Sequence, residues 1–377
     1  MQLSVIILNY NVRFFLEQCV LSVEKALSTI DGEIIVIDNN SSDDSCAMMK
    51  ALFPNIKLIE NKENLGFPKG NNIGVVHAKG EYICILNPDT VVAEDTFSKI
   101  LSTKNWQLNT GIIGCKLIDG TGNFLPESKR GIPTPWVAFT KIFGLYKLFP
   151  KSSWFNQYYA QQLSANESGK VDILVGAFMV MKRELYAEIG GFDENCFMYS
   201  DDIDLSYMVL QKGKYNYYCH ETLVIHYKGE STVRDEKYLK RFQEAMQFFY
   251  KKHFKKSIIF DFFMKIGALL FSLFKKSQSK EMKRKIDEYI IFSRNSLQLN
   301  LEKKETFLND FSQFKNNIHS NIEIVFDTKS FSYKEIIEFM NCHKSNNLTF
   351  KNYIPKSNFI IGSNNSIDRG EIIIVKN

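Results

Sequence analysis

The sequence predicts an α/β fold: a mixed, mainly parallel central sheet with helices on both faces. Three observations predict it. Short β-rich apolar runs recur at 3–8 (LSVIIL), 33–37 (EIIVI), 56–60 (IKLIE) and 82–86 (YICIL). Residues 14–28 have helical spacing and 69–78 are helix-compatible, and such β-α-β alternation favours parallel strands joined by crossover helices. Each run also leads into a polar cluster: Asn9-Tyr10-Asn11, Asp38-Asn39-Asn40, Asn61 to Asn64 and Asn87-Pro88-Asp89. In an open α/β sheet the carboxyl ends of the strands open on one edge, where ligands bind, so four polar clusters are expected to line one cleft.

The later elements follow in order. Residues 120–170 lose any clear period and are punctuated by Gly, Pro and Trp, including 136–149 (WVAFTKIFGLYKLF). Apolar residues return at 171–181, a turn follows at Gly190-Gly191, and an acidic block occupies 199–204. A basic, aromatic, helix-like segment spans 235–285. The tail has strand-like runs at 289–292, 322–326, 359–361 and 371–375 around a helical stretch at 333–340. The chain is thus expected to divide into a main domain at 1–234, a basic aromatic helical segment at 235–287, and a small, separate, reduced Rossmann-like α/β domain at 288–377. With 377 residues, 45% apolar and 14% aromatic, it has ample material for a core, which argues against disorder.

Charge is unevenly spread. The chain carries +5 overall, yet 236–287 holds fourteen Lys/Arg against five acids, a net +9, which implies an anionic surface partner. Within it, 257–274 (SIIFDFFMKIGALLFSLF) is borderline for a membrane span, and Asp261 and Lys265 would each cost about 2.5–3.5 kcal/mol at a bilayer centre. Spaced i, i+4 and flanked by lysines, they suit an interfacial amphipathic helix, so lipid headgroups are preferred to nucleic acid as the partner. A plain helix packed on the main domain is the alternative. The seven cysteines are scattered without CxxC and read as reduced, buried thiols. No secretory signal is expected, because the N-terminus has no basic region or cleavage site before its first apolar run.

Three features carry chemistry. Asp89 stands just beyond the 82–86 run, where an Asp is an ordinary turn former and also a candidate cation ligand. The block 199–205 (YSDDIDL) puts three carboxylates within four positions; they repel one another and need a cation, a helix N-terminus or water. An N-capping cluster for a helix over 203–211 answers that need, and so does a general base held rigidly at the helix start. His226, after the run 222–225, is structural if taken alone and a metal ligand if taken with Asp89 and the acidic block. Such a set suits a nucleotide diphosphate sugar, whose diphosphate must be neutralised as the sugar leaves. A divalent cation does this as a Lewis acid and contributes several kcal/mol. Phosphate oxygens favour Mg²⁺ or Mn²⁺, and an imidazole ligand tilts the choice toward Mn²⁺.

The stretches SVIILNYN (4–11), IVIDNNSSD (35–43), NLGFPKGNN (64–72), LNPDT (86–90), GGFDE (190–194), FMYSDDIDL (197–205) and HYKGEST (226–232) resemble family 2 glycosyltransferases, specifically the rhamnosyltransferase-like branch. One such motif would be weak; seven in the expected order across 3 to about 250 are specific. The resemblance implies a GT-A fold, a nucleotide-diphospho-sugar donor and inversion at the anomeric carbon. It implies that Leu8, Tyr10, Asp38, Asn64 and Asn87 bind the nucleotide sugar, that Asp89 and His226 hold the metal, and that Asp202 is the catalytic base. Asp201 stands where the family usually has Glu, and Met208 where an Arg is common.

The stretch 126–136 (PESKRGIPTPW) and the tail 360–372 resemble a subset of these enzymes from surface-polysaccharide clusters of Bacteroidetes-type bacteria. That likeness implies a lipid-linked saccharide acceptor, with Lys129, Arg130 and Asp201 as candidate acceptor contacts; the reduced cysteines, the expected lack of a secretory signal and the lysine-flanked helix lead to the expectation of a protein held peripherally at the cytoplasmic face of the inner membrane. In the tail, the run 289–292 is followed by Ser-Arg-Asn-Ser and no glycine-rich loop, so no dinucleotide is expected there. Nucleic acid is not an expected partner, and a homo-oligomer stays open. Two other functions compete: a nucleotidyltransferase, which would want a glycine-rich basic loop after the first strand, and a catalytically silent scaffold of a polysaccharide assembly complex.

Overall fold

The computed structural model describes residues 1–377 apart from 103, 105, 150–151, 229–235, 255–284, 318, 366–368 and 376–377. The expected interfacial helix at 257–274 lies outside the described residues. Among the described residues, no helix is long and apolar enough to cross a membrane.

The first half winds as predicted: β1 (Leu3–Asn9), α1 (Arg13–Ala26), β2 (Gly32–Asp38), α2 (Ser45–Leu52), β3 (Lys57–Glu60), α3 (Gly66–Val76) and β4 (Tyr82–Leu86). All seven residues of β1 are buried, because helices cover both faces of the sheet and an alternating pattern would leave polar side chains inside. Helix α3 lies unusually close to this sheet. A Cβ on Gly70 would come within 2.4 Å of Leu8, and one on Gly74 within 2.5 Å of Ile6 and Ile37.

Then come β5 (Thr90–Val92), α4 (Thr96–Ile100), β6 (Thr110–Ile118), β7 (Lys129–Arg130), α5 (Pro135–Ile142), α6 (Leu145–Leu148), β8 (Gly169–Val171), β9 (Ile173–Leu174), β10 (Phe178–Lys182), α7 (Arg183–Glu188), α8 (Asp201–Gln211), β11 (Tyr215–His226) and α9 (Glu236–His253). The apolar run 171–181 therefore takes in the end of β8, all of β9 and most of β10, with breaks at Asp172 and at Val175 to Ala177. The nine-stranded sheet has the order β3-β2-β1-β4-β10-β6-β11-β5, with β8 added on β11. Strands β1 to β4 are parallel; β10 runs against both β4 and β6, and β11 is parallel to β6.

The tail forms a second sheet: β12 (Glu288–Phe292), β13 (Lys304–Leu308), β14 (Ile322–Asp327), α10 (Tyr333–His343), β15 (Leu348–Ile354), β16 (Phe359–Gly362) and β17 (Glu371–Ile374), in the order β13-β12-β14-β15-β16-β17. Its first four strands are parallel and the last two antiparallel. The two sheets share a core. Val12, Phe15, Ile118, Ile225 and Tyr227 of the first half pack in one buried cluster with Phe292, Phe326, Phe339 and Phe350 of the tail. Polar contacts reinforce the junction. Glu94 accepts from the backbone N–H of Tyr333 (2.9 Å) and Lys334 (2.8 Å) at the start of α10, where a carboxylate meets the positive end of the helix dipole. Asn352 donates to the Tyr227 hydroxyl at 3.3 Å.

Candidate active site

The first cluster is built at the ends of β1 and β2, where Asn9 and Asp38 are in register. Asn9 Nδ2 donates to Asp38 Oδ1 at 2.7 Å, and the Ser41 N–H donates to Oδ2 at 2.8 Å. The carboxylate is thereby fixed in one rotamer and buried, with Tyr10 exposed at the rim. Asn39 beside it ties the next loop down: it donates to Asn64 Oδ1 (3.2 Å) and the Gly66 carbonyl (3.1 Å) and accepts from Asn61 (2.9 Å). Asn64 also caps the Gly66 N–H at 3.0 Å, so this side chain shapes the turn into α3. Leu8 is a core residue whose side chain packs on Gly70.

The second cluster forms where β4 ends and β5 begins. His226 closes β11 opposite Thr90 of β5. Its Nε2 lies 3.4 Å from Asp89 Oδ1 and 3.3 Å from Asn87 Nδ2. The Tyr227 N–H donates to the Asp89 carbonyl at 3.0 Å and fixes the two segments together. His226 Nδ1 and Asn87 Oδ1 are buried without a hydrogen-bond partner among the described residues. Orphaned buried polar atoms are costly, by about 1–3 kcal/mol each, and Asn87 Oδ1, beside the Asp89–His226 pair, is an acceptor that a cation or a ligand donor would satisfy. An oxygen from Asp89 and a nitrogen from His226 fit a divalent cation of the Mn²⁺ type. Among the described residues no three His, Cys, Asp or Glu side chains could hold an ion unaided. A cation here would complete its shell from a diphosphate and water, the usual arrangement for Mg²⁺-type sites at nucleotides.

The acidic block opens α8, with Asp201 as its first residue, and all three carboxylates are buried. Each is compensated differently. Asp202 Oδ2 accepts from Arg130 Nη2 at 2.5 Å and from the Gly176 N–H at 3.1 Å. Asp204 accepts from Lys252 Nζ (2.8 Å) and pairs with His253 Nε2 (2.5 Å), both on α9. Asp201 makes no ion pair among the described residues, and burial, then the neighbouring Asp202 charge, pushes its carboxyl up to about 7. Met208 lies beneath the same amine, with Lys252 Nζ 3.6 Å from its Sδ. The cation that the resemblance would place at position 208 is thus supplied from α9.

These clusters belong to one edge. The Asn87 N–H donates to the Ala177 carbonyl at 3.0 Å while the Gly176 N–H reaches Asp202, so a two-residue turn links the Asp89–His226 pair to the acidic block. On the outer side Arg130 is buried; burial opposes its charge, and the Asp202 carboxylate, followed by Tyr158, outweighs that cost. Glu127 ion-pairs with Lys228, two residues beyond His226; although burial opposes it, the Lys228 charge holds the Glu127 carboxyl below its usual range. Lys129 Nζ donates to the carbonyls of Tyr159 (3.2 Å) and Ala160 (2.9 Å), and burial lowers its pKa to about 8.

Of the residues singled out from sequence, Asp38, Asn87, Asp89, His226, Asp201, Asp202 and Arg130 gather on this edge with Tyr10 at its rim. Lys129 is spent on main-chain carbonyls, Asn64 on its own turn, and Leu8 on the core. Sequence reasoning missed Asn9 as the partner of Asp38, and Lys252 with His253 as the partners of Asp204. For the latter the signal was three carboxylates within four positions with no cation nearby in the chain.

Residues 4–190 match the model of the family described as Glycosyl transferase family 2. The N-acetylglucosaminyl-diphospho-decaprenol L-rhamnosyltransferase of Mycobacterium tuberculosis (strain ATCC 25618 / H37Rv) is 25% identical over 232 residues, covering 59% of this chain and 73% of that protein. The GalNAc(5)-diNAcBac-PP-undecaprenol beta-1,3-glucosyltransferase of Campylobacter jejuni is 31% identical over 182 residues, 44% of this chain and 57% of that one. Among solved structures, the mannosyltransferase PcManGT from Pyrobaculum calidifontis in complex with GDP-Man and Mn²⁺ covers 73% of this chain and 76% of its own, at 17% identity and a TM-score of 0.46. By the matching family model, residues 4–190 of this chain carry a domain of glycosyltransferase family 2, and the chain is a glycosyltransferase.

Proposed function

We propose that this enzyme moves a sugar from a nucleotide diphosphate to a hydroxyl of a lipid-linked saccharide, with inversion, in a single displacement at the edge described above. The observation that carries the proposal is the contact of Asp89 with His226, tied through Asn87 and the turn at 176–177 to Asp202. Nucleotide contacts are assigned to Tyr10 and Asp38, with Asn87 at the diphosphate. Asp89 and His226 would hold Mn²⁺ or Mg²⁺, which when bound supplies positive charge to the departing diphosphate.

In the transfer, the acceptor oxygen forms a bond to the anomeric carbon as the bond from that carbon to the diphosphate oxygen breaks. The hydroxyl proton passes to Asp202. Both recorded contacts of Asp202 use Oδ2. Oδ1 is therefore the oxygen assigned to take the proton, with Arg130 holding the carboxylate in orientation. The acceptor class is supported by relatives whose names carry diphospho-decaprenol and PP-undecaprenol, and rhamnose is the first sugar to test because one of them is a rhamnosyltransferase. An acceptor of that kind also implies work at the cytoplasmic face of a membrane.

The test is donor hydrolysis with Mn²⁺ across dTDP-rhamnose, UDP-N-acetylglucosamine and GDP-mannose. Slow release of a nucleoside diphosphate from one donor, abolished by Asp89→Ala, is expected. Nucleoside monophosphate or pyrophosphate would instead indicate a nucleotidyltransferase, and no release from any donor a silent scaffold. A donor at about 100 times its Kd should also stabilise the fold by about 2.7 kcal/mol in thermal denaturation.

A further inference from the structure

Helices α5 and α6 and the turns after them form a surface that the transfer mechanism does not use. Trp136, Phe143, Leu148, Phe149 and Trp154 are exposed at 43%, 40%, 70%, 51% and 71%, a concentration of large apolar side chains in under twenty residues. They form one contiguous patch. Trp136 stacks on Phe139 (5.6 Å between ring centroids), Phe139 meets Phe143 (4.5 Å), and Phe155 bridges Trp136 (5.8 Å) and Phe149 (5.1 Å). Trp136 Nε1 donates to the Trp154 carbonyl at 2.9 Å, which pins the two ends of the patch together. Helix α5 has a firm start, with Pro135 in its first turn and the Thr134 side chain accepting from the Val137 N–H.

The segment that carries the patch has no acids of its own. Between Glu127 and Glu167 the sequence contains no Asp or Glu, while Lys129, Arg130, Lys141, Lys147 and Lys151 lie in that interval. Lys147 is exposed within the patch, and Lys141 lies against the Tyr158 ring with Nζ 3.5 Å from its centroid. Tryptophan, phenylalanine and lysine without acids is the composition that settles at the headgroup level of a bilayer. A second copy of this chain is disfavoured as the occupant, since the segment offers no acid to meet the exposed Lys147 across a two-fold contact.

The patch also stands in the right place. Tyr158 and Gln157 accept from the Gly131 N–H through their carbonyls, next to Arg130, whose guanidinium holds Asp202. A few residues thus separate the aromatic surface from the proposed base.

We infer that the aromatic surface formed by Trp136, Phe143, Leu148, Phe149 and Trp154 docks on an anionic lipid bilayer. The acceptor side of the active site then faces the membrane, and a saccharide carried on a lipid meets Arg130 and Asp202 without leaving the bilayer. That benefit rests on the proposed acceptor class; the docking itself does not.

The experiment measures binding of the full chain to vesicles of phosphatidylcholine with and without phosphatidylglycerol. Binding to the anionic vesicles is expected, weakening with salt. The triple variant Leu148→Ser/Phe149→Ser/Trp154→Ser should lose it by about tenfold or more while donor hydrolysis in solution is unchanged. In the wild-type chain, brominated lipid should quench the emission of Trp136 and Trp154, a readout that needs no variant to fold. Undiminished binding by the triple variant, or absence of quenching, overturns the inference. So does failure to bind vesicles together with self-association that the triple variant abolishes, which would assign the patch to a second copy. A wild-type chain that binds vesicles through the patch yet hydrolyses no donor would leave this surface standing and remove the transferase mechanism.

Discussion

Arg130 Nη2 and Asp202 Oδ2 meet at 2.5 Å in a buried ion pair that joins β7 to the first turn of α8. Removing one partner of such a pair leaves an uncompensated charge at a cost of about 3–5 kcal/mol, whereas neutralising both is much cheaper. Arg130→Ala should therefore unfold in urea with that loss, and Arg130→Ala/Asp202→Asn should recover part of it. A double variant no more stable than the single one would refute the pairing.

Asp89 and His226 are each paired in the protein alone, so the fold should not depend on a metal. Chelation is expected to leave the thermal midpoint nearly unchanged and to abolish tight binding of a nucleoside diphosphate. Asp89→Ala and His226→Ala should each weaken Mn²⁺-dependent nucleoside diphosphate binding at least tenfold, about 1.4 kcal/mol, in calorimetric titration. Equal affinity with and without Mn²⁺ would remove these residues from the metal's shell.

Asp201 makes a specific pH prediction. Its carboxyl is raised from 3.8 to about 7 by burial and by Asp202, so the folded state favours the protonated form. A raised carboxyl contributes stability below its ordinary pKa and loses that contribution as pH climbs toward 7. Asp201→Asn removes the titration. Relative to the variant, the wild-type chain should lose roughly 4 kcal/mol between pH 4 and pH 8 in urea denaturation. Parallel stability curves would show that Asp201 does not titrate in this range.

Asp204 shares α8 with Asp202 and is held by Lys252 and His253. His253→Ala leaves a buried carboxylate oxygen short of a partner, so a loss of about 1–3 kcal/mol is expected. A loosened α8 should lower kcat while the donor KM stays close to wild type, because the donor contacts sit on β1, β2 and β4. Added Asp204→Asn should restore much of the stability. A rise in donor KM with kcat intact would place the effect elsewhere.

The first half of the fold was legible because β1, β2 and β4 are buried on both faces and read as unbroken apolar runs between amphipathic helices. The order of β10, β6, β11 and β5 was not legible, since nothing local in those strands states which neighbour each will choose. In the tail, β15 (LTFKNYI) escaped the apolar pattern because Lys351 is buried in it, paired with Glu323 at 2.7 Å and Glu371 at 2.6 Å. A charged residue satisfied by distant partners looks like surface in one dimension. The candidate site divides in the same manner. Asp89, Asp202 and His226 stand in recognisable strings, whereas Asn9 with Asp38, Lys252 with Asp204 and Arg130 with Asp202 are relations between distant segments that only folding creates.

The backbone N–H of Tyr227 holds the Asp89 carbonyl, and the hydroxyl of the same tyrosine receives a bond from Asn352, deep in the tail. One aromatic residue thus spans the border between the strand that ends in the imidazole and the second sheet. An engineer who borrows the first 253 residues as a ready-made donor-binding module would inherit half of an oily seam and a histidine resting on an unsupported neighbour. Swapping tails between related enzymes, to redirect them or to solubilise them, should succeed only when the residues on both sides of that seam travel as a set.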